Sequence, residues 1–176
     1  MDYDDYSVFM KICSFFGIIG AGICALVQLV APAFFVTHYE YQYSGTTALF
    51  GTGTYRVKGM ESAAQFVGEP SISALMFFIF AIFAFIVGIL VLILVKRGTS
   101  PILVIILLTL CAILLIIGFF ANMSDNVIKE FTTANNFESE FSVARHPLHY
   151  LVVVANLFAI LGFGYPAFAI IYSLFH

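Results

Sequence analysis

Apolar positions crowd into four long runs, roughly Ile12–Val36, Ser71–Val95, Ile102–Ala121 and Tyr150–Phe175, and polar positions collect between them. None of the four contains an Asp, Glu, Lys or Arg. Each is about 20 residues or longer, the length an α-helix needs to cross a hydrocarbon core of roughly 30 Å. A water-soluble helix of that length would carry a polar stripe, and these carry none. The pattern predicts four transmembrane helices.

The polar stretches have a different period. In Val36–Tyr43, Thr37, Tyr39, Tyr41 and Tyr43 alternate with His38, Glu40 and Gln42, which predicts a half-buried strand rich in aromatic strand formers. Ser44-Gly45 breaks it. Thr46–Phe50 reads as a second strand, Gly51-Thr52-Gly53 as a turn, and Thr54–Lys58 as a third strand in which Tyr55 and Val57 alternate with polar residues. The fold class expected is an all-α membrane protein: a four-transmembrane-helix bundle with a small extracellular antiparallel β-sheet from the first outer loop. One domain, residues 1–176, holds everything. Lys96–Pro101 is too short to join anything but antiparallel neighbours, so the second and third spans form a helical hairpin. Asp125–Phe131 reads as an outward extension of the third helix.

Composition agrees with the pattern: 62% hydrophobic residues, 10% charged, and a mean hydropathy of +1.05. Once four spans are set aside, no ordinary soluble domain fits in what remains. Extramembrane work falls to two loops, 37–70 and 122–149. The net charge of −3 is scattered and has no basic patch, which argues against nucleic acid as a partner. The expected partners are membrane lipid and other integral membrane proteins, in a hetero-complex or a homo-oligomer.

Lysine and arginine set the orientation. Lys96 and Arg97 lie in the six-residue turn and Lys11 at the head of the first span, whereas Arg56, Lys58, Lys129 and Arg145 are spread over the long loops. That density predicts a multi-pass protein of the plasma membrane with both termini cytoplasmic and both loops outside. MDYDDYSVFMK lacks the basic n-region of a signal peptide, so the first span reads as a retained anchor. Cys13, Cys24 and Cys111 all lie in or beside spans, so no disulfide staples the loops. Cys13 beside Lys11 is a palmitoylation candidate, with a small packing residue as the simpler reading.

Within the spans, Gly17, Ala21 and Ala25 form a small-residue stripe with Gly20 and Gly22 beside it, a pattern that lets helices approach closely. Gln28 and Asn156 are amides that should face the bundle, because an unpaired amide in lipid is costly. Gly162, Gly164 and Pro166 should loosen or kink the fourth helix. Tyr39, Tyr41, Tyr43, Leu49, Phe50 and Tyr55 are the candidate contact residues of the outer sheet. Asn122-Met123-Ser124 matches a glycosylation sequon that abuts the membrane.

Catalytic chemistry is hard to assemble from these residues. The spans hold no carboxylate, no basic residue and no His before His176, and CxxC, HExxH and GxSxG are absent. His146 and His149 are three apart, with no carboxylate or Cys beside them to complete a metal site. The expectation is no enzyme activity, no cofactor and no metal, and no intramembrane ion pump.

Several short strings resemble the claudin-like tetraspan superfamily, which includes claudins, peripheral myelin protein relatives and stargazin-type channel gamma subunits. Pro32-Ala33-Phe34 is similar to the Pro-x-Trp that ends their first span, and Ala48-Leu49-Phe50 to the Gly-Leu-Trp of their loop signature. Ala74-Leu75-Met76 resembles the start of their second span, and Phe120-Ala121-Asn122-Met123 the end of their third. The signature's two cysteines are missing here, with Gly53 near the place of the first, Ser73 stands where an Arg is usual, and the chain has no Trp. The resemblance implies a divergent member that acts through its outer sheet and helix faces without catalysis. Accessory or structural subunit of a membrane channel, receptor or other membrane complex is the role expected first. A cell–cell junction strand-forming protein, acting as a paracellular barrier or channel, is the alternative. A pore-forming oligomeric channel subunit is another. The sequence closes at His176 without a cytoplasmic tail for a scaffold motif, and it lacks the loop disulfide; both weigh against the junction role.

Overall fold

The computed structural model describes residues 3–30, 34–37, 41–47, 52–57, 64–67, 69–123, 142–145 and 147–175, with side chains at 7–30, 69–122, 147–169 and 171–172. Four helices dominate: α1 (Tyr3–Val30), α2 (Ile72–Lys96), α3 (Pro101–Met123) and α4 (Pro147–Phe175). All four are long and apolar enough to span a membrane, with apolar stretches of 22 to 25 residues. At 1.5 Å per residue that is roughly 33–38 Å, which covers a hydrocarbon core.

Local chemistry sets the helix ends. Ser71 caps α2, its Oγ accepting the Ala74 N–H at 3.2 Å. At the other end Thr99 N–H donates to Leu94 O at 3.1 Å and Gly98 N–H to Val95 O at 3.2 Å, with Gly98 at φ 70°. This is a Schellman closure, and its left-handed residue is the one without a side chain. Pro101 and Pro147 occupy the first positions of α3 and α4, where a missing N–H costs nothing. These caps move the expected boundaries by one to three residues. The larger correction is to the first run: α1 begins at Tyr3 and stops at Val30, and Phe34–Thr37 is strand. Residues 31–33 between them lie outside the described residues.

Among the described residues, the strands are β1 (Phe34–Thr37), β2 (Tyr41–Thr47), β3 (Thr52–Val57), β4 (Ala64–Val67) and β5 (Ser142–Arg145). Pairing is antiparallel throughout, in the order β4-β3-β2-β1-β5. The tyrosine-rich stretch Val36–Tyr43 is therefore divided between β1 and β2. Asp125–Phe131 lies outside the described residues.

The helices pack in the cyclic order α1–α2–α3–α4. Small side chains (Ala21, Cys24, Ala81, Ala84, Cys111, Ala112, Ala155, Ala159) and a few large ones (Met10, Phe77, Leu108, Leu115, Phe163) fill the interior. The outward faces are Ile, Leu, Val and Phe, an apolar area far beyond what a water-exposed surface carries. Burial is uneven: 28% of the most apolar stretch of α1 and 33% of that of α2 is covered, against 44% in α4. The outward faces of α1 and α2 are the least covered of the four.

Candidate functional site

The tightest seam joins α1 to α4. A Cβ on Gly20 would lie 2.6 Å from Ala155 O and 2.7 Å from Ala159 N, and one on Gly162 would run into the Gly17 backbone and meet Cys13 O at 2.8 Å. Backbones this close leave no room for a side chain. Contacts pair rising numbers on α1 with falling numbers on α4, ending where Cys24 Sγ donates to Val152 O at 3.5 Å, so the two helices run antiparallel. Phe163 is a fully buried knob, seated where a Cβ on Gly17 would come within 2.6 Å of its ring and one on Gly88 of α2 within 3.0 Å. Phe77 is seated the same way over Gly118 of α3, at 2.7 Å.

The expected packing residues separate into groups. Gly17 and Gly162 lie in the seam and Ala21 is fully buried, while Ala25 lines the α1–α2 groove and is only partly covered. A Cβ on Gly164 would meet Ala112 Cβ at an ordinary 3.7 Å, so this glycine marks no close approach. Pro166 is fully buried inside α4. Asn156 is also fully buried; its Nδ2 donates to Leu115 O at 3.4 Å and its Oδ1 has no hydrogen-bond partner. Gln28 is half-buried with its Oε1 unpartnered, and Ser14 Oγ and Thr109 Oγ1 are unpartnered as well. Ser14 and Gln28 are about 21 Å apart along α1, and Thr109 and Asn156 lie on two other helices. These polar atoms are spread over three of the four helices.

Tyr39, Leu49, Phe50 and His146 lie outside the described residues. Tyr41 and Tyr43 fall on β2 and Tyr55 on β3, where Tyr43 stands opposite Tyr55. Asn122 is buried in the last turn of α3, a poor position for a glycan. Among the described residues, no group of three or more His, Cys, Asp or Glu could hold a metal ion. Gly88 and Gly118 were not expected as contact residues. Each is the single glycine of a helix otherwise rich in branched aliphatics, a signal that marks close approach.

The weakly covered α1–α2 face carries the features most suited to an outside partner. In α2, Phe77 is buried, Phe78 and Phe80 are half-buried, and Phe83 and Phe85 are exposed. A wholly apolar groove of about 280 Å³ runs between α1 and α2, lined by Gly22, Ala25, Leu26 and Leu29 on one side and Phe78, Ile82 and Phe85 on the other. No protein-family model and no curated protein matches this chain.

Proposed function

We propose that this chain is a divergent claudin-like tetraspan of the plasma membrane, working as a non-enzymatic accessory or structural subunit of a membrane channel, receptor or other membrane complex. The observation that carries the proposal is the weakly covered α1–α2 face. Its groove has a floor of small residues, Gly22 and Ala25, between aromatic walls, Phe78 and Phe85. A ridge of side chains on another transmembrane helix fits such a groove, and close packing against small residues is what drives helix association in lipid. The interior supports the same reading. Phe163 and Phe77 are seated in glycine hollows and the polar atoms are dispersed, a poor lining for a water-filled path. In this proposal both termini and the Lys96–Pro101 turn are cytoplasmic, and the strands form an extracellular sheet whose Tyr41, Tyr43 and Tyr55 add loop contacts.

A photo-crosslinking amino acid at Phe85, in cells, tests the lateral contact. The expected adduct joins the chain to a different membrane protein and is lost when Gly22→Leu fills the groove. Self-adducts alone would put the junction-strand alternative first. Purified protein in planar bilayers should give no unitary currents. Ion-selective openings altered by substitution at Gln28 or Asn156 would favour the pore-forming alternative.

A further inference from the structure

A second and larger groove, of about 600 Å³, opens between α1 and α2 at the end of the bundle that carries the α2–α3 turn. Ile12, Phe15 and Leu92 supply its apolar lining, and Lys11 and Lys96 complete it. Packing against Ile18–Gly88 and Gly22–Phe85 contacts puts the two helices in antiparallel register, and that register brings Lys11 level with Lys96. Both lysines are exposed, as are Ile12 and Phe15 at 53% and 55%. The single acidic side chain among those described, Glu69, lies beyond the other end of α2. Asp4 and Asp5 are seven and six residues ahead of Lys11 on α1, roughly 9–11 Å along the axis.

Two cations at one level across a groove repel each other, and an anion between them turns that repulsion into attraction. The apolar lining below them faces the surrounding acyl chains. An apolar trough with paired cations at its mouth matches an amphiphile with a negative head, and basic pockets between transmembrane helices bind such headgroups. We propose that this groove binds one anionic glycerophospholipid, its phosphate held between the Lys11 and Lys96 ammonium groups and an acyl chain lying along Ile12, Phe15 and Leu92. The long lysine stems let both charges reach headgroup level from within the helix ends. The site stands whether or not the chain is an accessory subunit.

Native mass spectrometry of the purified full chain, offered phosphatidylglycerol or phosphatidylcholine with identical acyl chains, tests the proposal. The wild type should retain the anionic lipid about fivefold or more over the zwitterionic one, and Lys11→Ala or Lys96→Ala should each lower that retention roughly fivefold. Lys11→Arg with Lys96→Arg should keep most of it. Ile12→Trp, which fills the trough without touching the charge, should lower retention of either lipid. Arg97→Ala, an exposed cation outside the groove, serves as the control and should change little. Equal retention of the two lipids by the wild type would overturn the proposal even if an alanine variant failed to fold. So would an Arg97→Ala loss as large as that of Lys11→Ala, displacement of the lipid by inorganic phosphate, or displacement by an acidic peptide, which would make the groove a seat for a partner protein.

Discussion

Gly20 and Gly162 each stand where two backbones meet. An added methyl group has nowhere to go: its neighbours are main-chain atoms of Ala155, Ala159, Gly17 and Cys13, which cannot swing aside as a side chain would. Gly162→Ala should therefore destabilise the bundle by about 1–3 kcal/mol, the range for overpacking a filled site. Gly164→Ala is the matched control two residues away. It meets only Ala112 Cβ at 3.7 Å, and replacing a helical glycine gains about 0.5–1 kcal/mol. Thermal or denaturant unfolding in detergent should show the two substitutions moving stability in opposite directions; equal losses would mean that the seam is looser than described. Asn156 shows the other residue-scale rule, a buried amide given one partner on a neighbouring helix.

At the scale of elements, both ends of α2 and the starts of α3 and α4 are set by residues that cap or stop them, whereas the strands depend on pairing across the chain. Tyr43 is opposite Tyr55 in the β2–β3 ladder, and Gln42 is opposite Arg56. Directly opposed residues have Cβ atoms about 4.5–5.5 Å apart, and adjacent residues point to opposite faces. A Tyr43→Cys/Tyr55→Cys double variant should form a disulfide under mild oxidation, and Gln42→Cys/Tyr55→Cys should not. The natural cysteines sit in α1 and α3 and leave the strands free for this measurement. Efficient cross-linking of the second pair in place of the first would shift the register by one residue and turn the tyrosines to the other face.

At the scale of the molecule, α1 and α2 are the least covered of the four helices, and both grooves lie between them. Orientation decides which of them meets which leaflet. Lys96 and Arg97 predict that the α2–α3 turn is cytoplasmic. In a cysteine-free background, an impermeant thiol reagent should label Thr52→Cys in intact cells and leave Gly98→Cys unlabelled. The reverse pattern would invert the molecule and remove the extracellular sheet from the proposed function.

The four helices were legible in the sequence because crossing a membrane is a local demand: each run must be long, apolar and free of charge, whatever its neighbours. Their ends were nearly legible too, through Ser71, Gly98, Pro101 and Pro147. The small-residue stripe was half legible. Gly17 and Ala21 do lie in the bundle, but Ala25 turns to the α1–α2 groove and Gly164 marks no contact, since spacing names a helix face without naming what packs on it. Only the tertiary structure decided which glycines are hollows and which aromatics are knobs. Phe163 is buried because glycines from two other helices make room for it, whereas Phe83 and Phe85 remain outside. All three read alike in the sequence, because lipid and protein interior are equally apolar and hydrophobicity alone cannot tell them apart. The same holds for Lys11 and Lys96: 85 positions separate them along the chain, and the antiparallel packing of α1 and α2 brings them to one level.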